Sequence, residues 1–196
     1  MNIVDRAKNI LMTPKTEWPV IASETPAIGE IMLKYVLPLA LIPAVAQVIG
    51  YGLVGGTFVS YWSFSAAIGT GIVAFLTAVV GVYITAYVVD LLAPNFGSEK
   101  NLGRAVQLVA YSNTPGWLAG ILNIIPALGF LALLAAIYGI YLLYLGMPDL
   151  MKTPKEKVLP YLVVTIIVVI VVYFIIGLIL SPIIFGIFGT HMLGRM

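Results

Sequence analysis

Residues 158–180 read VLPYLVVTIIVVIVVYFIIGLIL, and this run decides the class of the chain. It carries no charge. As a helix rising 1.5 Å per residue it is about 34 Å long, enough to cross a hydrocarbon core of about 30 Å. Apolar runs also occur at about 30–54, 66–92, 102–125 and 127–147, ahead of a last one at about 154–180. The whole chain agrees with its most apolar part: it is 61% hydrophobic and 9% charged, with a mean hydropathy of +1.08. A soluble domain carries roughly 25% charged residues. The sequence therefore predicts an all-α polytopic membrane protein with five transmembrane helices over 26–196, behind a cytoplasmic amphipathic segment at 1–25.

Charge orients these spans. Arg6, Lys8, Lys15 and Lys34 precede or open the first run, Lys100 and Arg104 lie between the second and third, and Lys152, Lys155 and Lys157 lie between the fourth and fifth. The two other connections, 55–65 and the turn around Pro126, are uncharged. Short loops rich in Lys and Arg stay cytoplasmic, which predicts an N-terminus inside and a C-terminus outside. The uncharged aromatic loop Phe58 to Phe64 is expected to anchor the outer interface.

Several function classes receive no support. A net charge of +2 spread over three loops is no nucleic-acid footprint. The absence of cysteine removes disulfide and thiolate chemistry. Asp5, Glu17 and Glu24 interrupt the N-terminus, against a cleavable signal peptide. The single histidine, His191, has no carboxylate close in sequence, so no metal cluster or Ser-His pair is expected. Gly55-Gly56 follows a span and is not a phosphate loop. No cofactor, metal or catalytic residue is expected, and the chain is read as not an enzyme.

Local signals mark the helix ends. Ile3, Val4, Ala7, Ile10 and Leu11 recur at helical spacing, with Asn2, Asp5, Lys8 and Asn9 around the other side. This predicts an amphipathic helix, either lying on the cytoplasmic leaflet with Trp18 as a further anchor or packed against the inner loops. Thr25-Pro26 reads as a cap and first-turn proline for the first span, which Pro38 and Pro43 should bend. Thr153-Pro154-Lys155-Glu156 reads as a capping box for the fifth. A bend is expected at Ser181-Pro182.

The third run is the least apolar. It holds Gln107, Tyr111, Ser112, Asn113, Thr114 and Pro115, a polar cluster around a helix-breaking proline. Such a broken helix is where transporters place substrate sites, and it is also how helices pack closely and bond across an interface. Tyr83, Tyr87 and Asp90 share one face of the second span, and Tyr138, Tyr141 and Tyr144 wind along the fourth. Asp90, near the cytoplasmic end, is expected to pair with Arg104 or Lys100 and pin the second span to the third, with proton or ligand handling as the alternative. The candidate binding cluster is thus Asp90, Arg104, Gln107, Tyr111, Ser112, Asn113, Thr114, Pro115, Tyr138 and Tyr141.

The pattern Ala110-Tyr111-Ser112, then Pro115 to Ile121, then Pro126 and Ile137 to Gly146, resembles prokaryotic members of the Yip family, as does Pro14-x-x-x-Trp18. That resemblance implies a five-span membrane protein with a cytosolic N-terminus. The eukaryotic relatives it points to interact with Rab-type GTPases, act in vesicle traffic and membrane organisation, and carry an Asp-Leu-Tyr-Gly-Pro type motif in an extended cytosolic region. This sequence has no such motif, so that role is not carried over. Two functions compete. One is a non-enzymatic protein of a prokaryotic inner membrane that organises lipid or partner proteins. The other is a small transporter or channel, as a monomer or homo-oligomer, with the third span lining the route. The lipid bilayer is the expected contact in either case, together with a membrane-protein partner or a second copy; nucleic acid is not.

Overall fold

The computed structural model describes residues 2–54 and 64–193, and the described residues are helical, with no strand among them. Two short helices open the chain, α1 (Ile3–Met12) and α2 (Pro14–Ser23). A single turn, α3 (Ile28–Ile31), runs through a π-helical turn at Met32–Val36 into α4 (Leu37–Ile49) and a second π turn at Gly50–Val54. Then follow α5 (Phe64–Leu92), α6 (Leu102–Ser112), α7 (Thr114–Ala119), α8 (Leu131–Met151) and α9 (Lys155–Leu193). Short 3₁₀ turns occupy Ala93–Phe96, Gly120–Ile124 and Pro126–Leu128.

Four stretches are long and apolar enough to cross a membrane: Ile28–Leu53, Ala66–Phe96, Leu131–Met151 and Lys155–Ile176. The expected third span at 102–125 is not one of them. Asn113 interrupts it, and Gly120–Ile124 tightens to a 3₁₀ helix. Pro115 cannot donate to the ladder, and the Thr114 hydroxyl makes good the loss by donating to the Tyr111 carbonyl, four residues before the proline, at 2.7 Å.

The broken segment forms the centre of the molecule. Every residue from Ala105 to Ser112 is buried. Helices α5 and α8 pack on α6, α7 lies against α8 and α4, and α9 packs on α5 and α8. Polar groups are tolerated here because protein rather than lipid surrounds them. The outward faces are apolar instead: Ile72, Leu76 and Val80 on α5, Leu133, Leu134 and Ile137 on α8, and Ile167, Ile170 and Phe174 on α9 are exposed. Such a surface calls for an apolar surrounding, as the hydrocarbon of a membrane provides.

Two glycines permit this close packing. A Cβ at Gly139 of α8 would lie 2.8 Å from the Ser112 carbonyl oxygen, and one at Gly50 would lie 2.0 Å from that of Asn123. Only a residue without a side chain lets the backbones meet.

Several expected helix signals resolve differently. Pro38 is accommodated by the π turn before it, in which the Leu37 N–H bonds the Met32 carbonyl five residues back. Helix α4 then continues through Pro43. Ala27, not Thr25, caps the start of the first span, without a side-chain bond. Thr153 is not the reciprocal cap of α9: its hydroxyl accepts from Ser98 at 2.9 Å, tying the two basic connections together. Ser181-Pro182 lies within α9, which continues through it. Most of the aromatic loop Phe58 to Phe64 falls outside the described residues.

Candidate functional site, a polar cleft at the basic end

The basic segments gather at one end of the bundle. The Glu99 N–H donates to the Met151 carbonyl at 2.8 Å, and the Arg104 guanidinium donates to the Ile21 carbonyl at 3.2 Å. The N-terminal helices are part of this end. They form a hairpin that packs inward, α2 against α8 and α1 against α6 and α7. Trp18 is fully buried rather than set in an interface. Its ring stands 6.5 Å from that of Tyr111, and a Cβ at Gly146 would come within 2.8 Å of it. The Tyr138 hydroxyl donates to the Leu11 carbonyl at 2.7 Å, fastening the tip of the hairpin to α8.

The polar centre of this end is Arg6, which is 1% exposed. Asn2 starts α1 by accepting the Val4 N–H at 3.1 Å, and Arg6 follows one turn on. Its guanidinium bonds Glu17 of α2 and Glu24 just past the end of α2, and lies 5.3 Å from the centre of the Tyr111 ring. Tyr111 meets Tyr35 edge to face at 4.8 Å. The Tyr35 and Thr114 hydroxyls are 2.7 Å apart, and Thr114 donates to the Tyr111 carbonyl at 2.7 Å. Beside Arg6 a cleft of about 360 Å³ opens between α1, α3 and α6, lined among others by Glu24, Glu30, Lys34 and Gln107. Lys34 and Glu30 pair at 2.8 Å across its exposed rim.

The ten sequence candidates fall into separate places. Gln107 and Tyr111 line the cleft, and Arg104 reaches it by donating to the Gln107 amide oxygen at 3.0 Å. Thr114 stands behind Tyr35, and Pro115 is buried at the start of α7. Among the described residues the buried Ser112 hydroxyl has no partner, while Asn113 is spent on its own helix. Tyr138 holds the hairpin, and Tyr141 is exposed.

Asp90 does not form the expected ion pair. Arg104 is committed to Ile21 and Gln107, and among the described residues no salt bridge reaches Asp90. Asp90 is 6% exposed, with one carboxylate oxygen unpartnered. Beside it the Tyr161 hydroxyl donates to the Val89 carbonyl, and the Tyr161 ring stacks on Phe96 at 4.9 Å. Tyr83 and Tyr87, on nominally the same face, are exposed. Loop proximity in sequence suggested the pair; the N-terminal hairpin, by offering the Ile21 carbonyl, takes the arginine away.

Arg6, Glu17, Glu24 and Tyr35 were missed by pattern reading. A signal was present: Arg6 sits between Ile3 and Ile10 at helical spacing, so a charge occupies the apolar stripe of α1. A charge there needs a buried partner.

Residues 8–179 match the profile of the Yip1 domain. The chain belongs to the Yip1 domain family. The inner membrane protein YohC of Escherichia coli strain K12 is 26% identical over 155 residues, which cover 76% of this chain and 80% of YohC. The YohC of E. coli O6:H1 gives the same figures. No solved structure matches significantly. The Yip1 match takes in α2, the cleft residues from Glu24 to Tyr111 and all four candidate spans, while Asn2, Ile3 and Arg6 of the cleft lie just ahead of the matched residues. This Yip1-domain protein is a multi-pass membrane protein whose apolar helices contact the lipid bilayer.

Proposed function

We propose that this Yip1-domain protein is a non-enzymatic organiser of a prokaryotic inner membrane, crossing it five times with its N-terminus in the cytoplasm and its C-terminus outside. The observation that carries the reading is how the polar residues of the central segment are spent. Asn113 bonds Val109, Thr114 bonds Tyr111 and Tyr35, and Arg104 bonds Ile21 and Gln107, all within the protein. Residues that serve a permeating solute keep polar atoms free along a route. Here Thr114 and Arg104 join helices and Asn113 bonds its own turn, while the Ser112 hydroxyl is buried without a partner among the described residues. The apolar faces of α5, α8 and α9 are then the surfaces offered to lipid, to a membrane-protein partner or to a second copy.

The topology follows from charge and is supported by the meeting of the three basic segments at one end. The likeness to YohC, named as an inner membrane protein, supports the placement. Purified protein in proteoliposomes should pass neither ions nor small solutes. Flux that Asn113→Leu abolishes would replace the organiser with a transporter. Because the chain has no cysteine, single cysteines added near each terminus report topology directly, and both reacting from one side would refute an odd number of crossings.

A further inference from the structure

We propose that the cleft between α1, α3 and α6 binds a phosphoethanolamine group, a primary ammonium joined to a phosphate. The lining presents both signs of charge: Arg6 and Lys34 against Glu24 and Glu30, with Glu17 behind Arg6. Both lining cations already face carboxylates, so a plain anion would meet Glu24 and Glu30 as well. A plain cation would leave the donors unmet. Among the described residues the Arg6 Nε–H is buried without an acceptor and the Lys34 ammonium pairs with Glu30 on an exposed rim. A ligand that carries both signs answers both sides, with its ammonium between Glu24 and Glu30 and its phosphate oxygens toward Lys34 and Arg6. The Glu24 carboxylate is only partly buried and can be reached. A primary ammonium supplies three N–H donors to these carboxylates, whereas a trimethylated one supplies none.

Position points the same way. Lys34 is the last charge before an uncharged stretch from Tyr35 to Val89, so the cleft lies where the first span leaves water for lipid. Its volume of about 360 Å³ is at the small end of the range for ligand pockets, suited to a headgroup rather than a whole lipid. The assignment rests on reading this end of the molecule as a membrane interface, which the flux and labelling experiments test independently.

The full chain is equilibrated with vesicles holding equal phosphatidylethanolamine, phosphatidylglycerol and phosphatidylcholine, and retained lipid is measured by native mass spectrometry. Ethanolamine lipid should be enriched about tenfold over each of the others. Glu30→Gln and Lys34→Gln, exposed and outside the packed core, should each cut that enrichment about threefold with melting unchanged. Free phosphoethanolamine that displaces the lipid identifies the soluble group as sufficient; preference without displacement identifies the lipid headgroup as the ligand. Equal retention of the three lipids, enrichment of phosphatidylglycerol, or a preference that survives both substitutions overturns the proposal.

Discussion

The N-terminal hairpin and α9 are both held by the same bundle, yet they are specified in opposite ways. Beyond its charged first turn helix α9 is apolar around its circumference, and along it Ile167, Ile170, Val171 and Phe174 face outward. Its depth is fixed by transfer from water, and its orientation depends on a few contacts such as Tyr161 on Val89. The hairpin is short and mixed in polarity, and its place is set by particular partners: Arg6 on Glu17 and Glu24, Tyr138 on Leu11, Trp18 against Gly146. Hydrophobicity places a segment in a membrane. Buried polar pairs decide which neighbour it touches.

The largest effect that would test this contrast is at Arg6. Arg6→Ala leaves Glu17 buried without its cation, and a loss of about 3–5 kcal/mol in stability against denaturant in detergent is expected. The loss should come with new protease sensitivity within 1–25. A variant that melts like the parent would show that packing alone seats the hairpin. Tyr138→Phe sharpens the comparison by removing one hydroxyl from the hairpin tip, and should cost about 0.5–1.5 kcal/mol. Asp90→Asn should leave stability unchanged or raise it, since the carboxylate has no cation to lose. In a double-mutant cycle with Arg104→Gln the coupling should stay within about 0.5 kcal/mol. A larger coupling would restore the ion pair expected from loop proximity. Smallest is Ile170→Ala on α9, 61% exposed, which should change stability by no more than about 0.5 kcal/mol.

Pattern reading had an uneven reach over the site. Gln107, Tyr111 and Thr114 stood out because polar residues in an apolar run are conspicuous, and they do sit at or beside the cleft. Tyr35 looked like any interfacial tyrosine, and Glu17 and Glu24 like solvated charges. Their roles arise only when the hairpin folds back and brings Ile21 and Arg104, 83 positions apart, within bonding range. Asp90 erred in the other direction. Its nearness to Arg104 in sequence was real, but a backbone carbonyl from the hairpin competed for the arginine and won.

By itself the sequence determined that this is a helical membrane protein and located its four long apolar helices, though it counted the broken segment at 102–125 as a fifth, and it put the basic segments together on one side. These follow from transfer free energies summed along single segments, and such sums need no knowledge of neighbours. Only the tertiary structure decided that the most polar segment is the central one, that Arg6 is buried, and that a cleft of mixed charge opens beside it. Those outcomes depend on which helix faces meet, and close backbone contacts such as Gly139 on Ser112 are made between segments whose patterns contain no record of each other.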